Sequence, residues 1–268
     1  MKLSAPIHEL RSHAKQLKRE QQISLTAAQN KVAEREGFVS WSQLISAQKN
    51  ALPNSLDELS SYLNPGDLVL LGARPRLGKV RVAARLIADA AIRDAPRSYL
   101  FTLAERAITI REKIEPLLSS PDQLDRNVTV DSSENICADW IIKNLDGQNI
   151  RGSLVVVDYL QALDERRVNP PLQQQLESLK TFAKDTQCIL LFIAQLKREV
   201  DERPNTPPQS CDVRLPNPAD LQLLNKHLFL YEESNDEYSN TDGIKFRINN
   251  PIEHEFTLSP ADLGLSQQ

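Results

Sequence analysis

Residues 68–80 read Leu68-Val69-Leu70-Leu71-Gly72-Ala73-Arg74-Pro75-Arg76-Leu77-Gly78-Lys79-Val80. Four consecutive apolar residues, preceded by Pro65-Gly66 and closed by Gly72, form the pattern of a short strand buried on both faces of a parallel sheet. A helix is expected from about Gly78 to Arg93, because Val82, Leu86 and Ala90 recur at i, i+4 and i+8. The segment joining the two has the spacing of a phosphate-binding loop. Its glycines permit a tight backbone wrap, its N–H groups turn inward, and a helix N-terminus favours an anion. Lys79 would reach the terminal phosphates of a nucleotide. The full pattern ends in Ser or Thr, whose hydroxyl binds Mg²⁺, and Val80 has no hydroxyl. The competing reading makes Gly72 and Gly78 simple shapers of a strand-to-helix turn.

The alternation continues outward from this stretch. Tyr99–Leu103, Val128–Val130, Leu154–Val157 and Ile189–Ile193 read as further strands, and Leu172, Leu176, Leu179 and Ala183 carry a helix between the last two. Runs at Leu228–Tyr231 and Ile244–Ile248 alternate more and are expected at sheet edges. Strands alternating with helices imply an α/β domain with a mostly parallel sheet. Residues 201–220 interrupt the pattern with Pro204, Pro207, Pro208, Pro216 and Pro218. A long loop of this kind inside a compact domain is functional or disordered.

The first 48 residues differ. Ile7, Leu10, Ala14 and Leu17 have helical spacing, Ser24 and Ser40 are candidate N-caps, and Gly37 is a candidate stop. A small helical unit at 1–48 is expected, with its core around Phe38 and Trp41. A linker at 49–56 and an α/β domain at 57–268 would follow. The chain has 268 residues and a net charge of −4, yet residues 1–50 hold eight Lys/Arg against four Asp/Glu, a local balance of +4. Nucleic-acid contact must then be local, because no dominant cationic field exists. No apolar run approaches the roughly 18 residues of a membrane span, and the N-terminus lacks the apolar core of a secretory signal. Cys137, Cys188 and Cys211 form no CxxC, and His8, His13, His227 and His254 are scattered, so neither a disulfide framework nor a metal cluster is indicated. A cytoplasmic protein is the simplest expectation.

Four segments in order resemble the ATPase domain of DnaB-type replicative helicases, a RecA-like P-loop NTPase fold. They are Pro65–Val69 leading into Gly72-Ala73-Arg74-Pro75 and Gly78-Lys79, Val155-Val156-Val157-Asp158-Tyr159-Leu160-Gln161, Ile193–Val200, and Lys245-Phe246-Arg247. The resemblance implies ATP and Mg²⁺ as ligands, with Gly72, Ala73, Arg74, Pro75, Arg76, Leu77, Gly78, Lys79 and Val80 around the phosphates. It implies that Asp158 holds Mg²⁺ through water and that Gln195 senses the γ-phosphate. Lys245 and Arg247 would act in trans on a neighbour's site, which implies a homo-oligomeric ring or filament. For these two residues, a solvent-facing strand edge is the open alternative. The loops after the second and third of these strands face single-stranded DNA in that family, which brings in Arg166 and Arg167, then Arg203 and Arg214. Asp164, Glu165, Asp201, Glu202 and Asp212 stand beside them, so a plain solvated loop is the competing reading.

Two departures weaken the catalytic expectation and mark a degenerate member with a short N-terminal helical module. Val80 removes a metal ligand. The family's catalytic Glu follows the second strand in a Phe-Ser-Leu-Glu context, where this chain has Phe101-Thr102-Leu103-Ala104-Glu105. Glu105 is one residue late, and such a shift turns a side chain away unless a local bulge restores it. A positioned base contributes roughly 10²–10⁴-fold to rate. The expected function is therefore a helicase-like, replication-related ATP-binding protein with weak or lost hydrolysis. The alternative is a non-catalytic DNA- or protein-interaction scaffold or regulator on the same core.

Overall fold

The computed structural model describes residues 3–5, 7–50, 52–93, 95–203, 206–232, 244–250, 253–259 and 262–263. Contacts divide the chain into Met1–Leu52 with Pro251–His254, and Pro53–Asn250 with Glu255–Gln268.

The smaller unit carries α1 (Ile7–Gln21), α2 (Leu25–Arg35) and α3 (Trp41–Asn50). Ser24 Oγ accepts the Ala27 N–H at 3.1 Å and Ser40 Oγ accepts the Gln43 N–H at 3.1 Å, so both serines satisfy first-turn donors as N-caps do. Gly37 closes α2 at φ +85°. The core is aliphatic: Leu10, Ala14 and Leu17 on α1 meet Ala28 and Val32 on α2, with Trp41 packed at its margin. This corrects the expectation of a core around Phe38 and Trp41, both of which are only half-buried. Ala14 and Ala28 are fully buried, and side chains so small let the helices close without an aromatic ring between them.

The larger unit opens with α4 (Leu56–Tyr62), β1 (Leu68–Ala73), α5 (Lys79–Ile92), β2 (Ser98–Thr102), α6 (Ala107–Ile114), α7 (Asp122–Asn127) and β3 (Val128–Asp131). It continues with α8 (Ala138–Leu145), β4 (Leu154–Asp158), α9 (Leu172–Thr186), β5 (Ile189–Gln195), β6 (Lys226–Tyr231), β7 (Ile244–Asn250) and β8 (His254–Leu258). The eight strands form one sheet in the order β3-β2-β4-β5-β1-β6-β7-β8. The six from β3 to β6 are parallel, and β7 is antiparallel to β6. One face is covered by α8 and α9, whose Ile141, Leu145, Leu172, Leu176 and Leu179 pack on Leu68, Leu70, Val155, Val157, Leu190 and Phe192. Helix α5 buries Val82, Leu86 and Ile87 and packs against β1, β2 and β4. The carboxyl ends of β2, β4, β5 and β1 are consecutive across the sheet, and open α/β sheets bind ligands outside those ends.

One expectation is corrected. Strands β6 and β7 are interior, not edges: β6 is buried along its whole length between β1 and β7. Its polar start is tolerated because Lys226 pairs with Asp67, while His227 contacts Ser210 Oγ at 2.5 Å and Leu221 O at 2.9 Å. The proline-rich segment, read as functional or disordered, is ordered where it is described. Pro204 lies outside the described residues, but much of what is described in 201–220 is pinned. The Lys197 N–H donates to Asp212 O at 2.8 Å and the Arg214 N–H to Gln195 O at 2.9 Å, and Asp212 and Val213 are buried.

Candidate nucleotide site

The site is built at the carboxyl end of β1. Gly72 lies within the strand, where a Cβ would stand 2.8 Å from the Phe229 ring. This glycine therefore serves the close packing of β1 on β6. Arg76 and Gly78 have φ +71° and +84°, the left-handed conformation a tight turn needs. Gly78 is the N-cap of α5, and no side chain caps that end, which leaves the first-turn N–H groups facing outward as in an anion site.

Lys79 is half-buried. Among the described residues its ammonium makes no hydrogen bond or ion pair. Burial lowers its pKa below the usual lysine value, while Asp158 opposes that shift and Arg74 reinforces it. Arg74 itself is engaged: its Nε and Nη2 hold Asp201 at 2.7 and 2.6 Å, and Nη1 reaches Leu196 O at 3.3 Å. The phosphate-loop arginine thus clamps the loop to the segment after β5. Clefts of about 600 and 460 Å³ flank the clamp, one lined by Arg76, Arg203 and Tyr231 and the other by Gln195, Lys197 and Arg214.

Asp158 ends β4 opposite Thr102 of β2 and is 3% exposed. Thr102 Oγ1 donates to Asp158 Oδ2 at 3.0 Å and accepts the N–H groups of Ala104 at 3.1 Å and Glu105 at 3.3 Å. Burial raises the Asp158 pKa; Thr102, Lys79 and Lys113 pull it down and Glu105 pushes it up. The hydroxyl of Thr102 folds residues 103–105 into a tight turn. Ala104 is exposed and Glu105 half-buried, close enough to act on Asp158. Glu105 thus lies in a turn held on Thr102, one residue after the position the resemblance gives the base. Lys113 of α6 holds Glu105 Oε1 at 2.5 Å and also contacts Oε2.

Gln195 ends β5 beside Ala73, and no hydrogen bond of its side chain occurs among the described residues. Buried Gln161 links this strand end onward: its Nε2 donates to Gln195 O at 3.2 Å and Arg214 O at 2.6 Å. Lys245 and Arg247 lie on β7, opposite Tyr231 and Phe229 of β6 and so two strands from β1. Arg247 is held by Glu255 and Asn249 of its own chain. Of the four loop arginines, Arg166 donates to Glu134 O and Asn135 Oδ1 at 3.0 and 3.1 Å, and Arg203 pairs with Asp212 at 2.5 Å. Arg167 and Arg214 are exposed with no side-chain partner among the described residues.

Sequence reasoning missed Thr102, Lys113 and the bridging role of Gln161. Gln161 and Thr102 lay within quoted stretches, Lys113 in none.

A divalent cation fits this donor set poorly. Val80 brings no oxygen, and Asp158 is deeply buried with one oxygen bonded to Thr102. Mg²⁺ demands near-octahedral oxygen ligation at about 2.0–2.1 Å. No described helix is long and apolar enough to cross a membrane.

Residues 109–220 match the family model described as DnaB-like helicase C terminal domain, a span that includes Asp158 and Gln195 but not the loop at 72–80. The chain is 28% identical over 192 residues to the replicative DNA helicase DnaB of Mycoplasma genitalium, covering 59% of this chain and 41% of that protein. It is 26% identical over 223 residues to DnaB of Leifsonia xyli subsp. xyli, covering 70% and 49%. It thus spans less than half the length of these relatives. The fold is similar to a solved DnaB-like replicative helicase, with a TM-score of 0.63 at 18% identity over 94% of this chain and 74% of that one. The chain resembles the DnaB-type ATPase domain and has a RecA-like fold preceded by helices.

Proposed function

We propose that this protein is a helicase-like ATP-binding protein whose hydrolysis is weak or lost. The observation that carries the reading is Lys79: a half-buried ammonium with no partner among the described residues, at the uncapped N-terminus of a 14-residue helix. A buried charge left unpaired is costly, and a polyphosphate would supply the missing counter-charge. Gly78, Arg76 and the first-turn N–H groups of α5 would cradle the phosphates. Gln195 would report the terminal phosphate to the segment after β5 through the Gln161 bridge and the Arg74–Asp201 clamp. Glu105 would be the base, slowed by its ion pair with Lys113, and Asp158 would be the residue to hold Mg²⁺, only weakly.

Single-stranded DNA is the proposed macromolecular ligand, with Arg167 and Arg214 as the phosphate-contacting residues in preference to the engaged Arg166 and Arg203. A homo-oligomeric ring or filament would place Lys245 and Arg247 against a neighbour's site. One observation favours a second reading, a non-catalytic scaffold or regulator on the same core: Arg247 is neutralised by Glu255 within its own chain.

Titration of the purified chain with a fluorescent ATP analogue, beside Lys79→Ala, tests the nucleotide reading. Saturable binding that Lys79→Ala abolishes is expected. Absence of binding, or binding indifferent to Lys79, would overturn it and leave the scaffold reading.

A further inference from the structure

The mismatch between this site and a divalent cation has a counterpart in the positive charge the site does contain. We infer that the chain binds nucleoside triphosphate without a divalent cation, the Lys113 ammonium neutralising Glu105 where a bound cation would otherwise offset it. The inference rests on the nucleotide-binding reading above and deepens it.

Lys113 is delivered by α6, whose Ile110 and Ile114 are buried and anchor the helix. Its side chain is 28% exposed and that of Glu105 25%, so the pair sits in a partly dried environment. Glu105 is tied through Thr102 to Asp158: the Glu105 N–H and the Asp158 carboxylate both bond the same hydroxyl oxygen. The result is one connected row, Lys113–Glu105–Thr102–Asp158, running from α6 to the end of β4. A bound cation is often the largest local charge in a phosphate site, and it offsets the anionic residues that surround it. Here a fixed ammonium already neutralises Glu105, and the electrostatic influence of Lys113 extends to Asp158. Two acidic side chains would otherwise repel a triphosphate approaching Lys79. With Lys113 in place, the Glu105 part of that repulsion is offset by a covalently attached charge that needs no oxygen ligands. Val80 then costs the site nothing, because a hydroxyl is required only where a metal must be coordinated.

The same arrangement separates binding from turnover. An ammonium cannot bridge and polarise phosphate oxygens as a metal does, and it occupies the carboxylate that would activate water.

The experiment is an equilibrium titration of the full chain with fluorescent ATP analogue, in excess Mg²⁺ and in EDTA, for the native chain, Lys113→Gln, Lys113→Arg and Lys79→Ala. Expected are native dissociation constants agreeing within about twofold in the two buffers. Lys113→Gln should weaken EDTA binding at least tenfold, a loss of about 1.4 kcal/mol, with an unchanged melting temperature. Lys113→Arg should restore binding. Native binding that weakens tenfold or more in EDTA overturns the inference while leaving the nucleotide reading intact. So does Lys113→Gln binding as the native chain does in EDTA. No binding in either buffer overturns both.

Discussion

Two lysine–aspartate pairs stand at opposite ends of the same sheet. At the amino ends of β1 and β6, Lys226 contacts Asp67, donates to Tyr62 O at 2.6 Å and lies 4.2 Å from the Tyr62 ring centroid. Asp67 also accepts the Asn64 N–H and the Asn225 Nδ2–H, each at 2.7 Å. At the carboxyl ends, among the described residues, Lys79 feels Asp158 but bonds nothing, and the Asp158 carboxylate accepts only from Thr102. Burial lowers both lysine pKa values and the nearby aspartate opposes it in each case. The difference lies in satisfaction. One pair is closed and holds two strands in place; the other leaves its cation without a partner where a ligand can enter. Residue type does not distinguish a structural charge from a functional one here; completeness of partners does.

The widest separation between the two ends is expected in stability. Lys226→Ala leaves Asp67 buried without its cation and removes the contacts to Tyr62. Breaking a buried pair by deleting one partner costs about 3–5 kcal/mol, so denaturant unfolding of the full chain should register a loss of that size. A change under about 1 kcal/mol, the range of an exposed pair, would mean that the closed pair is not structural, and the comparison would collapse.

Next in size is Gly72→Ala. The new Cβ would enter the Phe229 ring at 2.8 Å between two buried strands, and overpacking a tight core costs about 1–3 kcal/mol. The expected signature is lowered stability with nucleotide affinity retained in whatever fraction folds. A variant of native stability that no longer binds nucleotide would return Gly72 to the phosphate loop.

These residues also mark where sequence reasoning reached and where it stopped. The β1–α5 unit was legible because an apolar run and an i, i+4 stripe are local patterns, and every element of the parallel sheet repeats them. Strand β6 was misplaced at an edge because the partners that let it sit inside, Asp67 and Asn225 for the lysine end and Ser210 and Leu221 for His227, follow from the fold and not from the run itself. Around the site, Lys79 and Asp158 were readable from motif and resemblance. Glu105 was readable as a residue but not as a direction, because its orientation depends on the Thr102 hydroxyl, which in turn depends on β2 pairing with β4. Lys113 had no local signal at all: its meaning comes from lying eight residues after Glu105, across a turn and a helix.

A smaller effect should appear on the acid side. His227 is 1% exposed, and burial lowers its pKa below the usual 6.5 against the pull of the Leu221 and Leu224 carbonyls. Because the folded value is the lower one, the unfolded chain binds the proton first. Stability contributed by neutral His227 is complete above pH 6.5 and is lost as pH falls through 6.5 towards the folded value, by at most about 1.4 kcal/mol per pH unit. Unfolding free energies at pH 7.5, 6.5 and 5.5 should decline more steeply for the native chain than for His227→Gln. Parallel slopes would remove His227 from the closed end's electrostatics.

The smallest stability change belongs to Lys79→Ala, and it is the sharpest form of the comparison. Lys79 has a folded pKa below the ordinary lysine value, so the fold penalises its charged form at neutral pH. That penalty is present below the folded pKa and fades as pH rises from it towards 10.5. Deleting the ammonium removes a penalty and breaks no hydrogen bond among the described residues, so stability at pH 7 should stay within about 1 kcal/mol of native and lean towards a gain. Nucleotide binding should vanish in the same preparation. A group whose removal costs the ligand but not the fold is held in place for the ligand, and Lys226 gives the opposite pairing of outcomes. Should Lys79→Ala destabilise the chain as much as Lys226→Ala does, the ammonium would be structural and the site at the carboxyl ends of the sheet would lose its strongest support.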